Sequence, residues 1–205
     1  MKTDRYFRTG DRSVAMNTGD LSVATNTGYQ SVATNTGDCS AAINTGDVSA
    51  ATNTGYQSTA TNTGGCSAAI NTGYQSVATN TGDRSAVANT GIYSVATSAG
   101  NLSVAMNTGK CSVATNTGKC SAATNIGDCS EAKVGLGESV AIAAGYKSKA
   151  MAGIGSAIVI AERDEWNGET YPLLNIKAAI VDGEKIKADT WYELRNGEFR
   201  EVKIL

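Results

Sequence analysis

The sequence predicts an all-β chain: a parallel β-solenoid built from a nine-residue repeat, with two units per coil and a small C-terminal β cap. Three observations carry this reading. Asn-Thr-Gly recurs every nine residues, starting at Asn17, Asn26, Asn35, Asn44, Asn53, Asn62, Asn71, Asn80 and Asn89, and again at Asn107 and Asn116. A fixed short period marks stacked supersecondary units. Within each unit Ser and Ala recur two residues apart, which in a strand places both on one face. The chain is also poor in the bulky side chains of an ordinary core: it has 2 Phe and 1 Pro against 23 Gly. A backbone ladder must therefore supply the cohesion that large apolar side chains do not.

Numbering each unit from its Asn gives the consensus Asn-Thr-Gly-x-x-Ser-x-Ala-x. The register reads from Arg8 to Ile160, with Ser98-Ala99-Gly100 and Asn125-Ile126-Gly127 as variants. Position 6 is Ser until Ala157, and position 8 is Ala except at Val87 and Val159. Position 5 accepts Arg12, Gln30, Tyr93, Cys111 and Lys147; position 7 accepts Val23, Thr59, Glu131 and Lys149. Positions 6 and 8 therefore point inward and 5, 7 and 9 outward. The Asn-Thr-Gly-x stretch reads as a turn, with glycine at position 3 suited to positive φ and asparagine to turn bonding. Stacking is expected to align the asparagines in a ladder of amide hydrogen bonds. The inward serines need partners along the stack, because an unsatisfied buried hydroxyl costs about 1–3 kcal/mol.

An interior of Ser and Ala suits two facing walls, hence 18 residues per coil. A 27-residue coil is the rival, because Asn17–Ile43 and Asn44–Ile70 are near-copies. The segment 1–7 is expected to cap one end, with Arg5, Tyr6 and Phe7 covering it incompletely. Residues 161–205 are expected to cap the other. There Leu173 to Val181 reads as a strand, and Trp191 to Ile204 as a hairpin turning at Asn196-Gly197. Both tryptophans lie in this region, which is expected to build a small conventional core over the open last coil.

Composition excludes several classes of function. Net charge is −2 and histidine is absent. No field steers nucleic acid, and no Ser–His or Cys–His pair exists, so an enzyme is not expected. Charge is sparse between Ser13 and Gly109, where only Asp20, Asp38, Asp47, Asp83 and Arg84 occur, and dense after Ala161. Asp20, Asp38 and Asp47 sit at position 4, too irregularly for a calcium-binding roll. Cys39, Cys66, Cys111, Cys120 and Cys129 share position 5 at a spacing that fits no zinc motif, and they read as free surface thiols. In an 18-residue coil Cys111 and Cys129 would stack one strand apart. No cofactor or metal is expected. Nothing resembles a secretory signal or a membrane span, so the expected setting is cytoplasmic, with a phage particle or cell surface left open.

Two surfaces suggest function. The first comes from the pattern Thr-x-Thr. It pairs Thr25 with Thr27, Thr34 with Thr36, Thr52 with Thr54, Thr61 with Thr63, Thr79 with Thr81, and Thr115 with Thr117. Both threonines of each pair face outward by parity, so stacking would rank hydroxyl and methyl groups as a candidate face for ice or glycan. The outward Val, Ala and Ile of position 7 form the second surface, an uncharged stripe suited to another copy or another protein. The primary expectation is a non-catalytic rod that acts by interaction and self-association.

The tail Val181-Asp182-Gly183-Glu184-Lys185-Ile186-Lys187-Ala188-Asp189-Thr190-Trp191-Tyr192, after Gly-x-x-Ser-x-Ala repeats, resembles a group of bacterial and phage-encoded repeat proteins. That group often carries a Cys- and His-containing N-terminal segment, which this sequence lacks. The resemblance implies a bacterial or phage setting and no particular activity. Ser139-Val140-Ala141-Ile142-Ala143-Ala144-Gly145 is similar to the head repeats of trimeric autotransporter adhesins, which implies an interaction role. Those heads use a longer repeat with a stalk and membrane anchor, and neither is seen here.

Overall fold

The computed structural model describes residues 4–135 and 137–202. The start of the expected N-terminal cap (1–3) and the end of the expected hairpin (203–205) lie outside the described residues. The strands are β1 (Arg5–Arg8), β2 (Val14–Asn17), β3 (Val23–Asn26), β4 (Val32–Asn35), β5 (Ala41–Asn44), β6 (Ala50–Asn53), β7 (Thr59–Asn62), β8 (Ala68–Asn71), β9 (Val77–Asn80), β10 (Ala86–Asn89), β11 (Val95–Ser98), β12 (Val104–Asn107), β13 (Val113–Asn116), β14 (Ala122–Asn125), β15 (Glu131–Val134), β16 (Val140–Ala143), β17 (Lys149–Met151), β18 (Ala157–Arg163), β19 (Leu173–Ile180), β20 (Tyr192–Arg195) and β21 (Glu198–Glu201). Among the described residues no helix is long and apolar enough to cross a membrane.

From β1 to β15 each strand pairs with the strand two further on, in parallel and in register at a shift of 18 residues: Val23 lies beside Ala41, and Ala41 beside Thr59. The 18-residue coil is thus the observed one. The near-copies that favour 27 residues put Ile43 on β5 and Ile70 on β8, in different sheets. An 11-stranded sheet I runs β1-β3-β5-β7-β9-β11-β13-β15-β17-β20-β21. A 10-stranded sheet II runs β2-β4-β6-β8-β10-β12-β14-β16-β18-β19. Nine spacings of roughly 4.8 Å make sheet II about 43 Å tall.

The interior is narrow and mostly polar. Position 8 is fully buried from Ala15 to Ala150, and positions 6 and 1 are buried with it through the middle coils. The serines satisfy one another along the stack. Ser31 N–H donates to Ser49 Oγ at 3.0 Å, and Ser49 Oγ lies 2.9 Å from the Asp47 carbonyl, to which it donates. The asparagines do not form an amide ladder, because they point inward and bridge the two walls. Asn71 Nδ2 donates to the Ser58 and Val77 carbonyls at 2.9 and 3.2 Å, and Asn71 Oδ1 accepts the Gly73 N–H at 2.8 Å. A strand that alternates faces makes position 1 inward, as it does positions 6 and 8.

The glycine at position 3 is required by proximity rather than by φ. A Cβ on Gly73 would fall well inside the 3.0 Å that such contacts essentially never breach, against the carbonyl of Gly55 one coil away. The left-handed residue is position 5, where Gln57 has φ 49°, Cys66 53° and Val48 55°. The Asp residues of position 4 also serve the stack: Asp38 Oδ1 accepts the Tyr56 N–H at 2.8 Å, and Asp47 Oδ1 that of Gly65 at 2.8 Å.

The period slips once, in the last unit. Ser156, not Ala157, fills position 6: its hydroxyl accepts the Ser139 N–H across a separation of 17 residues. One turn residue is missing between Ala152 and Ser156, and Gly155, at φ 77°, takes the left-handed role. Ile158 and Ile160 therefore face inward, both fully buried, and Val159 outward. With Val134 and Ala143 replacing Asn at position 1, the polar interior becomes apolar here. It continues into Val181, Ile186, Tyr192 and Leu194 of the C-terminal segment.

That segment closes both sheets in antiparallel fashion, β19 on β18 and the β20–β21 hairpin on β17. The hairpin turns at Asn196 (φ 52°) and Gly197 (φ 70°), as an Asn-Gly type I′ turn requires. Glu162 ties the pieces together. Its carboxylate accepts the Asn196 and Gly197 N–H groups at 2.5 and 2.8 Å and the Asn175 amide at 2.8 Å. The Gly197 N–H, followed by the other two donors, holds its pKa below the usual carboxylate value despite burial. The expected core forms only in part. Trp191 is buried, whereas Trp166 and Leu173 stay exposed, as do Leu174, Ile176 and Ile180 on the outer side of β19, over which nothing packs among the described residues. At the other end all four residues of β1 are exposed, and it covers only sheet I.

Candidate functional site: the two outer walls

The 18-residue coil sorts alternate units onto opposite walls, and this decides what each surface can do. Outward positions 7 and 9 of sheet I carry the threonine-rich units. Thr61, Thr79, Thr97 and Thr115 lie side by side on successive strands β7, β9, β11 and β13. Thr25 belongs to the same column but is separated from it by Ile43. Thr27, Thr63, Thr81 and Thr117 follow on this side at position 2, exposed and just past the strand.

The remaining four candidates lie elsewhere, which corrects the expectation of a single ranked face. Thr34 and Thr52 sit side by side on β4 and β6 of sheet II. Thr36 and Thr54 come directly after those strands, exposed at position 2 where the chain enters the turn. The Thr36 N–H bonds the Asn17 carbonyl and the Thr54 N–H the Asn35 carbonyl, both at 3.1 Å, so these two stack on the sheet II side of the coil. Thr34, Thr36, Thr52 and Thr54 therefore cannot join the column of Thr61 and Thr79. The physical reason is that neighbouring units, nine residues apart, fall on opposite walls. Thr97 completes the sheet I column, and the Thr-x-Thr pattern passes over it because Ala99 follows it at position 2. Reading the column at a spacing of 18 finds it. The C-terminal end of this wall is charged: Glu131 and Lys149 pair at 2.9 Å, beside Lys133.

Sheet II differs in chemistry. From Val14 on β2 to Val159 on β18, its outward positions 7 and 9 hold Val, Ala, Ile, Met and Thr, without one charged side chain. Arg163 follows the irregularity at the end of β18 and turns its guanidinium onto the Ala144 and Tyr171 carbonyls. Val14, Met16, Val104 and Met106 protrude, with exposures of 39–58%. Between them, Ala50, Ala68 and Ala86 at position 7 floor a shallow groove of about 550 Å³, which Gln30, Val48, Cys66, Arg84 and Leu102 border from position 5. Charge appears at the rim, in the turns that carry Arg12, Arg84, Asp20 and Asp38. An apolar centre within a polar rim is the anatomy of a protein interface.

The turn columns hold the other candidates. All five cysteines are free and exposed. Cys111 and Cys129 occupy adjacent coils, with the Cys111 N–H bonded to the Asp128 carbonyl at 2.8 Å. Burial, then the neighbouring Cys111, pushes the Cys129 thiol up, which disfavours the reactive thiolate. Tyr56 and Tyr74 stack at 5.5 Å on successive coils. Among the described residues no group of His, Cys, Asp or Glu is arranged to hold a metal ion. Comparison with protein-family models, with curated proteins and with solved structures gives no match.

Proposed function

We propose that this protein is a non-catalytic, rod-shaped interaction module that docks through the outer wall of sheet II. The supporting observation is the absence of charge from positions 7 and 9 on every sheet II strand from β2 to β18, while the opposite wall carries Arg5, Glu131, Lys133 and Lys149. A contiguous apolar patch of this size is unusual on a protein with no partner. The fold adds rigidity, since successive coils are bonded by backbone and by buried Ser, with buried Asn bridging the walls up to Asn125.

Charge insertion tests this reading. Ala68→Lys places an ammonium on the sheet II wall, and Thr79→Lys places one on sheet I. Sedimentation velocity should show association weakened at least tenfold by the first and unchanged by the second. Equal behaviour of the two would remove the wall from the account.

A second reading, binding of ice or glycan through sheet I, is favoured by the unbroken column Thr61, Thr79, Thr97 and Thr115. Thermal hysteresis that is lost in Thr79→Lys would support it, and a freezing curve that matches buffer would exclude ice.

A further inference from the structure

We infer that the occupant of the sheet II wall is the same wall of a second copy, packed face to face with the two rods antiparallel. This rests on the docking reading above and adds the partner, its orientation and its register.

Area is the first argument. A wall about 43 Å tall and roughly 14 Å wide offers about 600 Å² per copy, hence about 1,200 Å² in a pair. That reaches the range of specific interfaces, and apolar sheet faces pack at about 10 Å, as in any sandwich. Charge is the second: positions 7 and 9 of the two walls mate without burying an ion, and Arg84 stands exposed at the rim of the groove.

Shape fixes the orientation. Two identical walls can face each other about a two-fold axis along the rod or about one along the strands. An axis along the rod sets each strand over its own copy, so Val104 meets Met106 and Ala86 meets Ala88. Large then lies on large at β2, β12 and β16 and small on small at β10, while Ala50 and Ala68 meet Thr52 and Ile70. An axis along the strands reverses the rod. With all ten strands overlapping, β12 covers β10 and β16 covers β6. Position 7 then sets Val104 on Ala86 and Val140 on Ala50, while position 9 sets Met106 on Ala88 and Ile142 on Thr52. Val104 and Val140 thus cover two of the three alanines of the other copy's groove, with Ala122 over Ala68 between them, and each copy does the same in return. Close packing favours this arrangement, because voids forfeit contact.

Native cysteines report the register. Single-cysteine proteins that retain only Cys111 or only Cys39, the others changed to Ser, are spin-labelled for pulsed dipolar spectroscopy. Cys111 follows β12, next to the axis, so its two copies differ by one strand, about 5 Å along the rod. Cys39 follows β4, seven strands from its counterpart, about 34 Å along the rod. The inter-copy distance should therefore be much longer for Cys39. The association itself should be lost in Met106→Lys, an exposed position whose change leaves the interior intact, and retained in Thr97→Lys. A dimer broken by Met106→Lys with equal Cys39 and Cys111 distances overturns the antiparallel register and leaves the wall reading standing. A dimer indifferent to Met106→Lys overturns both, and a wild-type chain monomeric at every concentration overturns the pairing of two copies.

Discussion

Replacing Asn71 by alanine tests whether buried polar bridges hold the coils together. The Asn71 side chain is fully buried and makes three hydrogen bonds. Deleting it leaves the Gly73 N–H, which donates to Asn71 Oδ1, without a partner in a space sealed from water. That orphan costs about 1–3 kcal/mol. The Ser58 carbonyl keeps its bond from the Val77 N–H, so losing the amide there costs only an ordinary bond. The two carbonyl bonds together contribute about 2 kcal/mol, giving a total near 3–5 kcal/mol before any cavity term. Asn71→Asp should be worse at neutral pH, since a carboxylate oxygen would then face two carbonyl oxygens. Urea unfolding followed by far-ultraviolet circular dichroism reads the difference. A loss below about 1 kcal/mol for Asn71→Ala would show that backbone and alanine packing suffice, and the polar-interior argument would fail.

Three further outcomes follow from the same geometry. Ser98 occupies an asparagine position with its buried hydroxyl unpartnered, so Ser98→Asn should raise stability by about 2 kcal/mol in the same urea assay. Gly73→Ala drives a methyl into the Gly55 carbonyl, and it should cost at least about 3 kcal/mol or prevent folding, seen as loss of the strand signal on heating. Glu162 has a depressed folded pKa, so its stabilisation is present above the unfolded value of about 4.3 and is lost as pH falls through the folded value. Wild-type stability should therefore drop below about pH 4.3, whereas Glu162→Gln should cost about 2–3 kcal/mol at pH 7 and lack that acid slope, followed by Trp191 fluorescence.

The rod was legible because its period is a property of spacing. Ser and Ala two residues apart, repeated at nine, give the buried face, and the small size of those side chains favours the 18-residue coil over the 27-residue rival. The reasons behind individual residues were less legible. Glycine at position 3 suggested positive φ, but the constraint is a carbonyl of another coil, a contact that exists only after stacking. Position 5 tolerates Arg, Gln, Cys and Val, and this tolerance concealed its left-handed backbone. The deletion before Ser156 was masked because Ala157 and Val159 still fit the small-residue pattern, although the inward Ile158 and Ile160 signal the shift by size. The threonines looked like one array because consecutive units were read together. Only the coil length assigns Thr61 and Thr79 to one wall, and Thr34, Thr36, Thr52 and Thr54 to the other side. The exposed aliphatics of β19 could not be read from hydropathy, which records what a residue prefers and not whether a neighbour arrives to cover it.

Sedimentation equilibrium of the unaltered chain, from low micromolar to near-millimolar concentration, bears most directly on the function argued here. The uncharged sheet II wall predicts a reversible shift from 21.0 kDa to twice that mass, with little dependence on salt because no ion pair crosses the interface. A single 21.0 kDa species across the whole range would contradict it.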